Sequence, residues 1–198
     1  MPSNQIRGTQ IRDGSVTGDD IDESTLVLSF IKDADGDTAI QCEEASDEDK
    51  IRFDTGGTER MIISNTGEVG IGTAAPTSTL SVVGSISGNV TNINSSNDPG
   101  VSYTVSITDY AILINTRPQA QGGIDSALTL TLPLAASYPG RIIIIKDSAG
   151  YANVNNIIVS KAGNDTIEGV SDTITLNKVA QFTRLISDGS SNWFEIGN

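Results

Sequence analysis

The sequence predicts an all-β chain, and three observations carry that prediction. Gly, Ser, Thr, Asn and β-branched aliphatics are plentiful, while aromatic residues make up only 5% of the chain; this is a composition of short strands and many turns. Apolar and polar residues alternate over short stretches, as in Val101, Tyr103, Val105 and Ile107, and again in Leu128, Leu130 and Leu132. Few long runs lack Gly, Asn or a β-branched residue, so no long helix is expected.

Residues 1–26 form a first segment with its own short repeat. Ile6, Ile11, Val16, Ile21 and Leu26 recur at every fifth residue, with Gly8, Gly14 and Gly18 between them. Neither a helix nor a strand has that period. Asp13-Gly14 and Thr17-Gly18 read as turns. Apolar anchors on an extended, glycine-broken chain suit docking into pockets of a partner; a partly disordered tail is the alternative.

Residues 27–84 read as a β-rich segment. Two strands, LVLSFI and TAIQCE, flank Lys32–Asp37. The Asp33-Ala34-Asp35-Gly36-Asp37 cluster suggests a hard cation, but it lacks the distal glutamate of an EF-hand. Asp-Gly is also a hairpin turn, so a solvated turn is the reading here and no metal or other cofactor is assigned. The acidic run Glu43–Asp49 reads as a solvated loop that bars edge pairing. Asp54-Thr55-Gly56 has the aspartic-protease triplet, yet the residues after it do not fit that pattern, and catalysis would need two such loops to meet. Further on, Arg60–Ser64 is a short strand and Gly67 is placed for a tight turn.

Val69 and Ile71 alternate with Gly70 and Gly72, giving one apolar face and one bare backbone face. Strand glycines are costly unless another backbone approaches closely, and three chains wound on one axis would supply that approach. A monomeric β-domain with two hairpins is the alternative. Pro76 ends this strand, and Leu80 and Val82 restart the alternation.

Residues 85–100, SISGNVTNINSSNDPG, read as a linker. Residues 101–198 then predict about eight strands joined by short turns, a β-sandwich or jelly roll. In it, Ile142–Ile145 is expected to be buried on both faces or in a subunit contact. Trp193 is expected to close the core, stacking on a sugar being the alternative.

Composition excludes several function classes. The chain has no His, which removes Ser-His-Asp and Cys-His nucleophile systems within it. Cys42 is the only cysteine, so neither an intrachain disulfide nor a cysteine-rich zinc site is possible. No apolar run approaches the ~20 residues of a membrane-spanning helix, and no secretory apolar core is evident at the start, so synthesis in the cytosol is expected. The net charge is −13, and the acids concentrate in residues 1–100 (17 acids, 6 bases) rather than 101–198 (8 acids, 6 bases). Nucleic-acid binding through a basic patch is therefore not expected.

Beyond this reading, the stretch from Phe53 to Gly84 resembles the β-rich shafts of bacteriophage tail and head fibres. Those run G-G-x-x-R-M-x-I, then G-x-V-G-I-G-T-x-x-P, then L-x-V-x-G; here Gly56, Gly57, Arg60, Met61, Ile63, Gly67, Val69, Gly70, Ile71, Gly72, Thr73, Pro76, Leu80, Val82 and Gly84 fall on the pattern. IRDGSVTGDDIDESTL is similar to the N-terminal segments that attach such fibres to the particle. Asp109–Leu113, Thr129–Pro133, Pro139–Gly150, Gly163–Gly169 and Leu185–Trp193 resemble, in order, a C-terminal fibre module.

The resemblance implies a non-enzymatic homotrimer in the virion, assembled in the host cytoplasm. It has an intertwined β shaft, with Met61, Ile63, Val69, Ile71, Leu80 and Val82 at the trimer contacts. Ile6, Ile11, Val16, Ile21 and Leu26 would dock on a baseplate, tail or capsid protein, and the C-terminal sandwich would meet a host-surface polysaccharide or protein. A head fibre or capsid decoration protein is the alternative, favoured by a chain of only 198 residues.

Overall fold

The computed structural model describes residues 30–42, 44–45 and 47–198. Among them are sixteen strands in three sheets, and the only helical pieces are 3-10 turns at Gln119–Gln121 and Ala135–Ser137. The fold is all-β. The chain divides between Ile86 and Ser87 into two units.

The first unit holds one six-stranded sheet in chain order: β1 (Phe30–Lys32), β2 (Ala39–Gln41), β3 (Ile51–Thr55), β4 (Thr58–Ile63), β5 (Val69–Ile71) and β6 (Leu80–Val82). Neighbours are antiparallel except β5 and β6, which run parallel. Gly56 and Gly57, at φ 57° and 66°, make the two-residue turn between β3 and β4, the mirror-type turn whose twist matches a hairpin. Asp54-Thr55-Gly56 therefore leads into a hairpin, and the Asp54 carboxylate accepts a 2.7 Å hydrogen bond from the Gln41 amide.

The close approach that Gly70 needs comes from within the chain. A Cβ at Gly70 would stand 2.3 Å from the Thr73 carbonyl oxygen and 2.9 Å from Ile62 Cγ2. Winding of three chains is not required to explain that glycine.

The second unit builds two facing sheets. Its strands are β7 (Val90–Ile93), β8 (Ser102–Thr104), β9 (Ala111–Ile114), β10 (Leu128–Thr131), β11 (Ile142–Asp147), β12 (Ile157–Ser160), β13 (Thr166–Ile167), β14 (Thr173–Leu176), β15 (Phe182–Ser187) and β16 (Asn192–Gly197). One sheet has the order β13-β16-β15-β11-β9-β7 and the other β14-β12-β10-β8. From β7 to β12 the chain crosses between the sheets at every step, so β7, β9 and β11 pair in parallel, as do β8, β10 and β12. Three stacked coils result, closed by antiparallel pairing of β14 on β12 and β15 on β11. A jelly roll pairs its strands antiparallel; here the two layers are as expected, but the connections are those of a coil.

Period-2 alternation fills the space between the sheets. Ile112, Ile114, Leu128, Leu130, Ile143, Ile145, Ile157, Val159, Leu185 and Trp193 are all fully buried in one cluster. Trp193 lies in this core with its indole N–H donating to the Pro133 carbonyl at 3.1 Å, so it is not available to stack on a sugar. Three expectations are corrected. Val90–Ile93 lies within residues 85–100 yet is a strand with Ile93 buried, because its parallel pairing with β9 overrides the Asn- and Ser-rich context. Residues 101–107 are not one strand: only Ser102–Thr104 pairs, and Val101 and Ile107 are exposed. Within one chain the 142–145 run is not buried on both faces: Ile142 and Ile144 are half-buried on the outer side of β11, while Ile143 and Ile145 point into the core.

Candidate functional site: the apolar face of the N-terminal sheet

Cross-strand register decides which side chains share a face, because paired residues project the same way and alternate residues oppose them. In the first unit Ile31, Ile40, Phe53, Met61, Ile71 and Val82 form one continuous row across all six strands. Two residues along, Ile51, Ile63, Val69 and Leu80 form a second row on the same face. Every one of these ten side chains is apolar and none is buried; Leu80 and Ile31 remain 56% and 60% exposed. Near β1 the face deepens into an open groove lined by Ile31, Ile40, Phe53 and Thr55.

The reverse face is different in chemistry and in cover. Gln41, Arg52, Ile62, Gly70 and Ser81 make its central row. Thr73 lies against Gly70, and Ile62 is buried beside it. The acidic loop before β3 folds onto Arg52, whose side chain is only 8% exposed. Glu48 takes both guanidinium Nη atoms at 3.0 Å each, and Arg52 Nε lies 3.4 Å from Glu44 and 3.2 Å from Glu59. That guanidinium first, and then the backbone N–H groups of Ala45 and Glu44, pull the Glu48 carboxyl down to about 2. Part of the acidic run is thus the lid of a buried arginine and not only a solvated loop.

All six shaft residues singled out from sequence, Met61, Ile63, Val69, Ile71, Leu80 and Val82, fall on this one face. Sequence reasoning missed Ile31, Ile40, Ile51 and Phe53, which carry the same alternation in FIK, AIQ and IRF. Ile6, Ile11, Val16, Ile21 and Leu26 lie outside the described residues.

The carboxylates of the C-terminal phrases serve the loops. Asp109 accepts from Tyr103 Oη at 2.8 Å and Ser106 N at 2.7 Å, and Asp165 from Ala135 N at 2.7 Å. Asp188 accepts from Ser190, Ser191 and Asn192 backbone N–H groups; the Asn192 side-chain amide and these backbone donors hold its carboxyl at about 2. In the first unit, Asp33, Asp35 and Asp37 are exposed, with one oxygen of each within 4.8 Å of the others. Asp33 already closes its turn by accepting from Gly36 N at 3.0 Å and Thr38 N at 3.3 Å.

A comparison with models of known protein families finds no match, and neither does a comparison with curated proteins.

Proposed function

We propose that this chain is a bacteriophage virion structural protein, a homotrimeric fibre that carries host-surface attachment and has no enzymatic role. The observation that supports the reading most is the bare apolar face of the first unit. Among the described residues, a single sheet with one side closed by its own loops carries ten apolar side chains on the other, five of them exposed and five half-buried. Each aliphatic buried there contributes roughly 1.5–3 kcal/mol, and patches of this kind mark association sites. Further copies of the same chain are the partner the fibre resemblance implies, and three is the number it implies.

Residues 1–26 serve in this reading as the attachment strip to a tail, baseplate or capsid protein. Three copies held together would add their anchors through effective concentration.

Sedimentation of the full chain tests the assembly. Three times the 20.7 kDa chain mass is expected, and the double substitution Ile40→Glu, Leu80→Glu should shift it toward one chain without loss of β-structure. A single-chain mass at micromolar concentration for the unsubstituted protein overturns the reading. Antibody labelling of intact particles then separates tail fibre from head fibre. Replacing Ile11 and Val16 with Asp should leave the trimer intact but missing from purified particles.

A further inference from the structure

The second unit holds a cation without a counter-charge. Arg141 lies just before β11, and its Nη2 donates to the carbonyl oxygens of Ser106 and of Asp109, the latter at 2.9 Å. The guanidinium carbon stands 4.9 Å from the centre of the Tyr138 ring. Arg141 pairs with no carboxylate among the described residues. The Asp109 carboxylate is already taken: it is buried and accepts from Tyr103 Oη, Thr91 Oγ1 and Ser106 N.

Nη1 of the same guanidinium is buried and has no hydrogen-bond acceptor. Among the described residues two other buried side-chain atoms lack a partner, on Asp54 and Thr116, and neither carries positive charge. Buried donors are nearly always paired, so an unpaired one points to an acceptor that comes from outside the chain. Arg141 as a whole is half-buried, and an anion arriving beside it supplies what Nη1 lacks. A planar guanidinium matches the two oxygens of a carboxylate.

The surroundings narrow the chemistry of the ligand. Tyr110, next in the chain after Asp109, is 44% exposed. Gly88 packs against its ring, where a Cβ would stand 2.2 Å from Cδ1. The ring is thus held in place while part of it meets water, and such a ring stacks on the apolar C–H face of a pyranose. Ser106 and Thr108 are exposed in the same loop with their hydroxyls 3.3 Å apart, and they offer neutral hydrogen bonds. A nucleic acid gains little from one cation on a chain of net charge −13. Acids are few in residues 101–198, 8 against 6 bases, so a carboxylate-bearing ligand meets little repulsion from this part of the chain.

We propose that Arg141, Tyr138, Tyr110 and the 106–108 loop bind an acidic polysaccharide, with Arg141 on a uronate carboxylate and Tyr110 against a sugar ring. The proposal rests on the host-surface attachment proposed above for the source of the ligand. Its residues all belong to the second unit and need no second copy.

The test measures binding of the full chain to polygalacturonate, to the same polymer with its carboxylates methyl-esterified, and to polyglutamate. Polygalacturonate should bind, and esterification should weaken binding about tenfold or more by removing the charged acceptor. Arg141→Lys keeps the charge but loses the planar fork, and should weaken binding to a similar extent. Arg141 also holds the 106–109 loop, so Tyr110→Ser and Thr108→Glu give the same reading from exposed positions should that variant fail to fold. Val170→Glu, 85% exposed in the turn after β13, should keep full binding. No binding by the folded chain at millimolar sugar overturns the proposal. Equal binding of the ester does so too, as does unchanged binding in all three site variants. Equal binding of polyglutamate overturns it in favour of an acidic peptide. Sedimentation of the same samples reads the assembly separately: a trimer that does not bind the polymer overturns this site alone, and a single chain that binds it overturns the trimer alone.

Discussion

Gly70 and the carbonyl oxygen of Thr73 lie so close that a Cβ on Gly70 would stand 2.3 Å from that oxygen. The oxygen is backbone, and Ile62 Cγ2 would be 2.9 Å from the same Cβ, so an added methyl meets packed atoms from two residues. Gly70 therefore holds the lid of the covered face, while its neighbours Val69 and Ile71 point to the bare one. Gly70→Ala should destabilise the first unit by about 1–3 kcal/mol, the range of a core overpacked by one methyl. Gly67→Ala meets no atom within 4 Å, and its cost comes only from its φ of +92°. Hydrogen exchange at β4 and β5 separates the two: Gly70→Ala should open those amides, and equal protection in both variants would contradict the packing argument.

Acid should loosen the first unit through Glu48. Its carboxyl is held at about 2 against an ordinary 4.5, chiefly by the Arg52 guanidinium. A depressed folded pKa means that the pairing contributes its full stability above about 4.5 and loses it as the pH falls toward about 2. Glu48→Gln should flatten the pH dependence of first-unit stability across that window. The Asp33 and Glu68 carboxyls of the same unit are also held below their ordinary values, and Asp188 near 2 in the second unit, so the difference between the unsubstituted chain and Glu48→Gln in exchange at β3 amides is the readout that isolates Glu48. An unchanged pH profile in the Gln variant would count against the pairing.

The strands whose period-2 alternation lay in a single stretch were legible in the sequence. Leu128–Leu130 and Ile143–Ile145 alternate with outward residues and are buried as that pattern requires. So was the apolar side of β5, because Gly70 and Gly72 leave only Val69 and Ile71 to make a face. β7 was not legible: VTNI sits among Ser, Asn and Gly, and what makes it a strand is Ala111–Ile114, about twenty residues away. Register between distant strands also escapes local pattern. FIK, AIQ and IRF each show one or two apolar residues, and only pairing lines them up with Met61 and Ile71. The crossing from sheet to sheet leaves no periodic mark either, since an inward residue looks alike in either layer.

Asp147 ties two backbone segments, the 149–152 loop and Ala180, to the end of β11. Its Oδ1 accepts from Ala149 N at 3.2 Å and Gly150 N at 2.9 Å, and its Oδ2 from Ala152 N and Ala180 N at 3.0 Å each. Burial pushes the carboxyl up, but these backbone donors outweigh it and hold it below its ordinary value. Asp147→Asn sets an NH₂ against two N–H groups whichever way the amide turns. Each bond lost to the charged acceptor costs about 1.5–3 kcal/mol, so a loss of at least ~3 kcal/mol is expected. Trp193 is the chain's only tryptophan and belongs to the same buried cluster as Ala152, so its fluorescence reports the unfolding directly. A denaturation midpoint equal to that of the unsubstituted chain would overturn this role.

The position of β7 moves the boundary of the second unit, and two fragments test it. Ile93 belongs to the buried cluster, and β7 covers the edge of β9 through four paired residues from Val90↔Ala111 to Ile93↔Ile114. Thr91 also hydrogen-bonds the buried carboxylate of Asp109. Gly88 lies under Tyr110, where a Cβ would be 2.2 Å from the ring, so the chain is already held before the strand begins. A fragment of residues 87–198 should fold with Trp193 buried and unfold cooperatively, because no described residue before Ile93 belongs to its core cluster. A fragment of residues 101–198 exposes the β9 edge and loses the Ile93 side chain. Removing one large buried aliphatic costs about 2–5 kcal/mol, and the four lost strand pairings add to it. The shorter fragment should therefore be unfolded or only marginally folded at room temperature by circular dichroism and tryptophan emission. Equal stability of the two fragments would show that β7 is not part of the cooperative unit.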